Sequence, residues 1–170
     1  MDRNPVRLFV LMGVAGCGKS SYGTMLAYRK NATYIDGDDF HPRVNITKMS
    51  AGIPLTDDDR WPWLDAVAAQ VIIPSGIVFT GCSALRKSYR EYLASKAGMP
   101  VHFIYLAANR AMIAKRMAAR DGHFMPDSLI DSQFAALEVP DDDEPSSHID
   151  ISGSKGAVIG RILAAIDPLI

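Results

Sequence analysis

A glycine-rich stretch near the N-terminus, GVAGCGKS, has the spacing G-x-x-x-x-G-K-S/T. Glycines allow a loop to curl until its backbone N–H groups point inward at phosphate oxygens. Lys19 is placed to reach β- and γ-phosphates, and the hydroxyl of Ser20 is placed to ligate Mg²⁺. The stretch therefore predicts a nucleoside triphosphate site made of Gly13, Val14, Ala15, Gly16, Cys17, Gly18, Lys19, Ser20 and Ser21.

A second concentration of reactive side chains, DGDDFHPRVN at residues 36–45, holds three carboxylates, a histidine and an arginine. Phosphoryl transfer needs a metal near the phosphates and an acceptor hydroxyl whose proton is eventually removed. We expect Asp36 in the outer shell of the metal and Asp38 at the hydroxyl, while Asp39 serves the turn before Pro42. The alternative, that all three carboxylates only cap the next helix, stays open.

Strand-like and helix-like runs alternate along the chain and position both stretches. The β-type runs predict strands at 6–12, 32–36, 76–81, 101–107 and 148–152. The helical stretches lie at 18–29, 42–50, 59–73, 86–97, 109–120, 127–138 and 156–166. Several strands are continuously apolar, as in a parallel sheet that is covered on both faces. The pattern predicts a three-layer α/β fold with about five parallel strands, and ligands gather at the strands' carboxyl ends in such folds.

Composition limits the remaining possibilities. With 170 residues the chain predicts one domain, residues 1–170, and its formal net charge of −1 does not favour a nucleic-acid or anionic-membrane surface. No apolar run approaches the roughly 20 residues that span a bilayer. The two cysteines, Cys17 and Cys82, form no disulfide framework or metal spacing, so a reducing cytoplasm is the expected location.

The phosphate loop alone is compatible with a switch, a motor or a kinase. DISG at 150–153 fits the D-x-x-G pattern of GTPases, but no N/T-K-x-D accompanies it. Motors usually carry an acidic residue after the third strand, which here ends in GCSAL. A kinase is therefore favoured. Some other acidic group must then help to hold the metal, and Asp36 and Asp38 are the best candidates for it.

Three further segments resemble the signature segments of the gluconokinases, which are P-loop sugar-acid kinases. They are DGDDFHPRVNITKMSAGIPLTDDDRWPWL (36–64), CSALRKSYREYL (82–93) and RDGHFMPDSLIDSQFAALEVP (120–140). The resemblance covers nearly the whole chain, and it implies transfer of the ATP γ-phosphate to the 6-hydroxyl of D-gluconate. The product, 6-phosphogluconate, feeds the pentose phosphate and Entner–Doudoroff routes. Family members are commonly homodimers, and Cys17 and Asp121 depart from the usual pattern.

Two rival functions remain compatible with the residues. One is a kinase for another small hydroxy acid, such as shikimate or a different aldonate. The other is a protein that senses gluconate without turning over ATP, against which Asp38 and the lid arginines argue.

Gluconate carries a carboxylate and several hydroxyls, so its site needs cations and hydrogen-bonding groups. In related small-molecule kinases an arginine of the substrate-binding helices holds the carboxylate of the acceptor, and this resemblance implies that role for Arg60. For the charges of the helix at 86–97, surface solvation is the alternative. His41 is expected at a sugar hydroxyl, with a local structural contact as its alternative. The predicted substrate-binding residues are Asp38, His41, Arg60, Ser83, Lys87, Arg90 and Gln133.

The segment KRMAARDGHFMP (115–126) ends a helix and leads into a glycine-containing loop. Arg116 and Arg120 are four residues apart and so share a helical face. In the kinases that the chain resembles, lid arginines cover the nucleotide, which implies a helical lid at about 115–137. Arg116 is expected near the adenine or its phosphates and Arg120 near the γ-phosphate, with His123 as a weaker candidate. Lys19, Asp38 and Arg120 are the predicted catalytic residues, and two solvated arginines are the alternative for the lid.

Overall fold

Five parallel strands form the sheet of the computed structural model, which describes residues 5–120 and 126–170. The order of the strands is β2-β3-β1-β4-β5. Their bounds are β1 Leu8–Met12, β2 Thr33–Asp36, β3 Val78–Gly81, β4 Val101–Ala107 and β5 Ser146–Asp150. The predicted sheet is confirmed, and its strand ends differ from the predicted ones by at most two residues.

Every predicted helix is present in the described part of the chain. The bounds are α1 Lys19–Lys30, α2 Arg43–Ser50, α3 Asp57–Val71, α4 Lys87–Ala97, α5 Arg110–Ala118, α6 Asp127–Ala136 and α7 Lys155–Ile166. Two short 3-10 turns, Gly37–Phe40 and Asp167–Leu169, complete the structure. Helix α3 begins two residues before the predicted start, because Thr56 caps it and forms a reciprocal capping box with Asp59.

The central strand β1 shows why the sheet is covered on both faces. All five of its side chains are fully buried. Phe9 and Leu11 pack with α1 and α7, whereas Leu8, Val10 and Met12 pack with α3 and α4. Successive side chains of a strand point to opposite faces, so two apolar layers form around one sheet. The predicted three-layer α/β fold is confirmed.

The register of the strands brings the two reactive stretches together. Gly81, at the end of β3, pairs with Leu11 of β1 on one side and with Asp36 of β2 on the other. A Cβ at Gly37 would lie 2.3 Å from the carbonyl oxygen of Gly81, so only glycine allows the chain to turn here. The turn sets residues 38–41 beside the glycine-rich loop. In the described ranges, none of the helices has the length and apolar character required to cross a membrane.

Candidate active site

A cavity of about 720 Å³ opens where β1, β2 and β3 end. Its wall contains Lys19 after β1, Asp38 after β2 and Ser83 after β3, together with side chains of α5 and α6. Topology thus collects residues that are far apart in the sequence. Of the predicted site residues, the wall contains Ala15, Gly16, Gly18, Lys19, Ser20, Asp38, His41, Arg60, Ser83, Arg120 and Gln133.

The loop between β1 and α1 has the backbone of a phosphate cradle. Gly16 and Gly18 have φ angles of +80° and +102°, in the left-handed region that favours glycine. The side chain of Lys19 folds back over the loop, and its Nζ donates to the carbonyl oxygens of Gly13 and Val14 at 3.1 Å each. The ammonium is therefore held against the loop, within reach of a phosphate that binds there.

Ser20 and Asp36 form a hydroxyl–carboxylate pair beside this loop. Ser20 Oγ donates to Asp36 Oδ2 at 2.6 Å, and Asp36 Oδ1 accepts from the backbone N–H of Asp38 at 3.1 Å. Within residues 5–120 and 126–170, no three His, Cys, Asp or Glu side chains are grouped to hold a metal ion. Mg²⁺ usually takes only one or two protein ligands and completes its shell with phosphates and water. A serine hydroxyl that is hydrogen-bonded to one carboxylate is consistent with such a magnesium site.

Asp38 lines the cavity, and its carboxylate lies near the imidazole of His41. Although 65% of its side chain is exposed, the surrounding protein removes water and raises the pKa of the Asp38 carboxyl above its ordinary value. Lys19 opposes this rise, and the negative charges of Asp36 and Asp39 add to it. A carboxylate with a raised pKa is better suited to accept a proton than an ordinary one.

His41 is clamped between an aromatic ring and its neighbours. Its imidazole stacks on Trp63 with the ring centroids 4.2 Å apart, and Trp63 Nε1 donates to the carbonyl oxygen of Gly37 at 2.8 Å. Burial, together with the nearby charge of Arg60, lowers the pKa of His41 to about 4. The imidazole is therefore neutral at neutral pH.

Arg60 reaches the cavity from α3. Its Nη1 donates to the carbonyl oxygen of Leu55 at 2.6 Å and to Tyr89 Oη at 3.2 Å, while its guanidinium lies 5.2 Å from the centre of the Tyr89 ring. Tyr89 Oη in turn donates to Asp57. These contacts use one nitrogen of the guanidinium, so further donors remain for an anionic ligand.

Lys87 and Arg90 do not line this cavity, and the structure gives both a different environment from the predicted one. Arg90 is only 1% exposed and forms a two-pronged ion pair with Glu144, at 2.6 and 2.8 Å. Its Nη1 donates to the carbonyl oxygens of Ala84 and Leu85. Lys87 Nζ pairs with Asp141 and Asp143 on the acidic loop. Because their charges are engaged away from the cavity, these contacts do not support a role in binding gluconate, and that role stays a prediction.

The lid residues lie close to the phosphate loop. Arg116 donates to the carbonyl oxygen of Cys17 at 3.2 Å and to that of Ile151 at 3.0 Å. Gln133 Oε1 accepts from the backbone N–H of Ala15 at 2.6 Å, so α6 touches the loop directly. Arg120 follows α5 at the cavity wall. Residues 121–125 of the predicted lid, including His123, lie outside the described residues.

Several wall residues carried no sequence signal for this site. Met49 near the end of α2 and Ile53, Pro54 and Leu55 after it give the wall an apolar part that has no reactive group. Trp63 is only 2% exposed, and it packs in the core as well as lining the cavity. Only the fold reveals that these side chains border a ligand site.

In this arrangement a phosphate held on the loop and a small acceptor near Asp38 can meet within one cavity. The class of protein that this fold and cavity define is the P-loop kinases that phosphorylate small molecules.

Comparison with known proteins identifies the family within that class. The family described as "AAA domain" matches residues 8–140. A gluconokinase of Gluconobacter oxydans is 47% identical over 153 residues, which cover 88% of this chain and 84% of that protein. The thermosensitive gluconokinase of Escherichia coli is 47% identical over 140 residues, covering 80% and 74% respectively. A gluconokinase crystal structure from Sinorhizobium meliloti matches with a TM-score of 0.88 at 41% identity, covering 99% and 95% of the chains. The chain belongs to the gluconokinase family.

Proposed function

We propose that this protein transfers the γ-phosphoryl group of ATP to the 6-hydroxyl of D-gluconate, giving 6-phospho-D-gluconate and ADP. The observation that carries the proposal is the shared cavity, in which the phosphate loop and Lys19 face Asp38 and Arg60. The relatives' names supply the acceptor. The product is one that the pentose phosphate and Entner–Doudoroff routes consume.

The phosphate end of the cavity is suited to bind negatively charged phosphates. Backbone N–H groups of the loop and the start of α1 donate to the phosphates, and Lys19 adds its ammonium. We assign the Mg²⁺ of the reaction to Ser20, with Asp36 orienting the hydroxyl from behind. The metal, when bound, neutralises charge that develops on the β- and γ-phosphates.

The acceptor end supplies orientation and a proton acceptor. Asp38 accepts a hydrogen bond from the attacking hydroxyl and takes its proton onto the carboxylate as the new O–P bond forms. Arg60 pairs with the carboxylate of gluconate, and His41, Ser83 and Gln133 are assigned to its hydroxyls. Arg120 stabilises the negative charge on the phosphoryl group during its transfer.

The lid, at about 115–137, is proposed to close over the nucleotide and exclude water, which limits ATP hydrolysis without acceptor. Arg116 of α5 and Gln133 of α6 contact the phosphate loop, which supports a lid whose helices already lie against that loop. A single kinase domain over residues 1–170, a homodimer and a cytoplasmic location complete the proposal. The single domain rests on the length of the chain, the cytoplasmic location on its cysteine usage and the homodimer on the family resemblance; sedimentation velocity tests the dimer.

Asp38→Asn tests the chemistry, because the amide keeps the shape of the side chain and loses its basicity. We expect kcat with gluconate to fall about a hundredfold while ATP affinity is retained. Asp39→Asn, the same change one residue away, is the matched control and should retain activity. ADP release is measured with D-gluconate, other aldonates, shikimate and buffer. If Asp38→Asn turns over at a nearly normal rate, Asp38 is not the base. If the wild-type protein shows no gluconate-dependent turnover, gluconate is not the acceptor.

A further inference from the structure

Asn45 is a fully buried polar residue of α2 that touches the site without lining it. Its amide nitrogen lies 2.9 Å from the backbone carbonyl oxygen of Asp59 and 3.3 Å from Nδ1 of His41. The side chain has no exposed surface. It therefore connects the start of α3 to the imidazole that faces Asp38.

The contact with Asp59 determines which way the amide of Asn45 points. A carbonyl oxygen can only accept a hydrogen bond, so the atom beside it must be the amide nitrogen. The reverse orientation would place two oxygens against each other in a buried site. The same NH₂ group has a second hydrogen, and that hydrogen is directed to His41.

This orientation determines where the proton of His41 lies. A ring nitrogen that accepts from an N–H carries no proton, so Nδ1 is the unprotonated nitrogen. The neutral imidazole then holds its proton on Nε2, which lies 3.7 Å from Asp38 Oδ1. The lowered pKa of His41 supports a neutral ring, with Asp38 of its own turn and Arg60 of α3 as the charged groups that face it.

We infer that Asn45 is a positioning residue that holds His41 in the Nε2-protonated tautomer, so that His41 presents a hydrogen-bond donor to Asp38 and the cavity. The inference rests on the proposed function for its catalytic meaning, but the tautomer itself does not depend on the substrate.

This tautomer gives His41 and Asp38 different chemical roles. With Nε2 protonated, His41 cannot take the proton of the acceptor hydroxyl through the nitrogen that faces the cavity. It can donate to a hydroxyl oxygen in the cavity, and Asp38, whose Oδ1 lies 3.7 Å from Nε2, remains the group that accepts the proton. The stack on Trp63 holds the ring plane while Asn45 selects the tautomer.

The tautomer is measured directly in the free protein. Long-range ¹H–¹⁵N spectra at pH 7 distinguish a protonated from an unprotonated ring nitrogen, and His41→Gln identifies the signals of His41 among the chain's four histidines. We expect an unprotonated Nδ1 and a protonated Nε2. In Asn45→Ala we expect averaging between the two tautomers. A protonated Nδ1 in wild type, or an unchanged pattern in the variant, overturns the inference.

Kinetics test whether Asn45 acts through His41. Loss of this hydrogen bond between two neutral groups predicts a fall in kcat/KM for gluconate of about fivefold in Asn45→Ala. Because a glutamine has no tautomer to select, Asn45→Ala in a His41→Gln background should add less than about twofold. Fully additive effects would mean that Asn45 does not act through His41.

A second variant separates this role from simple bracing of α2 against α3. Lys48 Nζ pairs with Asp59 at 2.8 Å and so forms another link between the same helices, with no contact to His41. Lys48→Met should therefore lower thermal stability and leave the tautomer of His41 unchanged. Asn45→Ala must alter the tautomer; if both variants only lower stability, the inference fails. Inactivity of wild type toward gluconate would refute the proposed function but not the tautomer assignment.

Discussion

Replacing Arg90 by methionine should destabilise the protein far more than it weakens gluconate binding. The guanidinium is 1% exposed, and its partner Glu144 is 7% exposed. Removing one partner of a buried ion pair costs about 3–5 kcal/mol, because the other charge stays buried without compensation. For 170 residues the entropy of unfolding is about 0.36 kcal/mol per kelvin, so the melting temperature should fall by about 10 °C.

The loss has a second component at the end of β3. Arg90 Nη1 donates to the carbonyl oxygen of Ala84, a residue whose φ is +42°. That left-handed conformation is unfavourable for a residue with a Cβ, so the turn depends on such contacts. Ser83, one residue earlier, lies in the cavity wall. Some loss of gluconate affinity should therefore accompany the loss of stability, as an indirect effect.

Thermal and urea unfolding of Arg90→Met measure the stability, and gluconate KM is determined well below the melting temperature. Lys87→Met is the matched control on the same helix; its charge pairs are exposed, so the melting temperature should change little. Arg90→Met combined with Glu144→Met should regain much of the loss, because no buried charge remains. A normal melting temperature together with a tenfold rise in gluconate KM would refute the reasoning and restore Arg90 to the substrate site.

Two further outcomes follow from the same geometry. Gly37→Ala should lower kcat at least tenfold and reduce stability, since its Cβ would lie 2.3 Å from the Gly81 carbonyl oxygen; circular dichroism melts and ADP release check this. The pKa of His41 falls from 6.5 to about 4 on folding, so between these two pH values the unfolded chain takes up the proton and the folded chain does not. The free energy of unfolding should drop by about 2 kcal/mol from pH 7 to pH 5 relative to His41→Gln, and equal slopes in urea titrations would contradict this.

The parts of the site that the sequence predicts are those with local signals. The glycine spacing before Lys19 is a property of eight consecutive residues, and it placed the phosphate loop directly. Asp36 and Asp38 follow a strand, and the rule that ligands gather at the carboxyl ends of parallel strands brought them to the same cavity. The five strands were visible because buried strands of a parallel sheet are continuously apolar.

Other parts depend on contacts between distant residues. Arg90 and Lys87 stand next to CSAL in the sequence, but the partner that buries Arg90 is Glu144, which is 54 positions away. Helical spacing could not show which face of α4 meets the cavity and which meets the acidic loop. Likewise the apolar wall at 49–55 and the orientation of the Asn45 amide require distances between atoms that no pattern of residue types contains.

Arg116 joins three elements through two hydrogen bonds, since it extends from α5 to the phosphate loop at Cys17 and to the exit of β5 at Ile151. Any ligand that holds the loop in this geometry also favours this position of α5. Coupling free energies between sites are reciprocal, so whatever holds α5 must raise nucleotide affinity by the same factor. An acceptor that draws the lid inward would therefore tighten ATP binding, and random-order binding of the two substrates would show positive cooperativity.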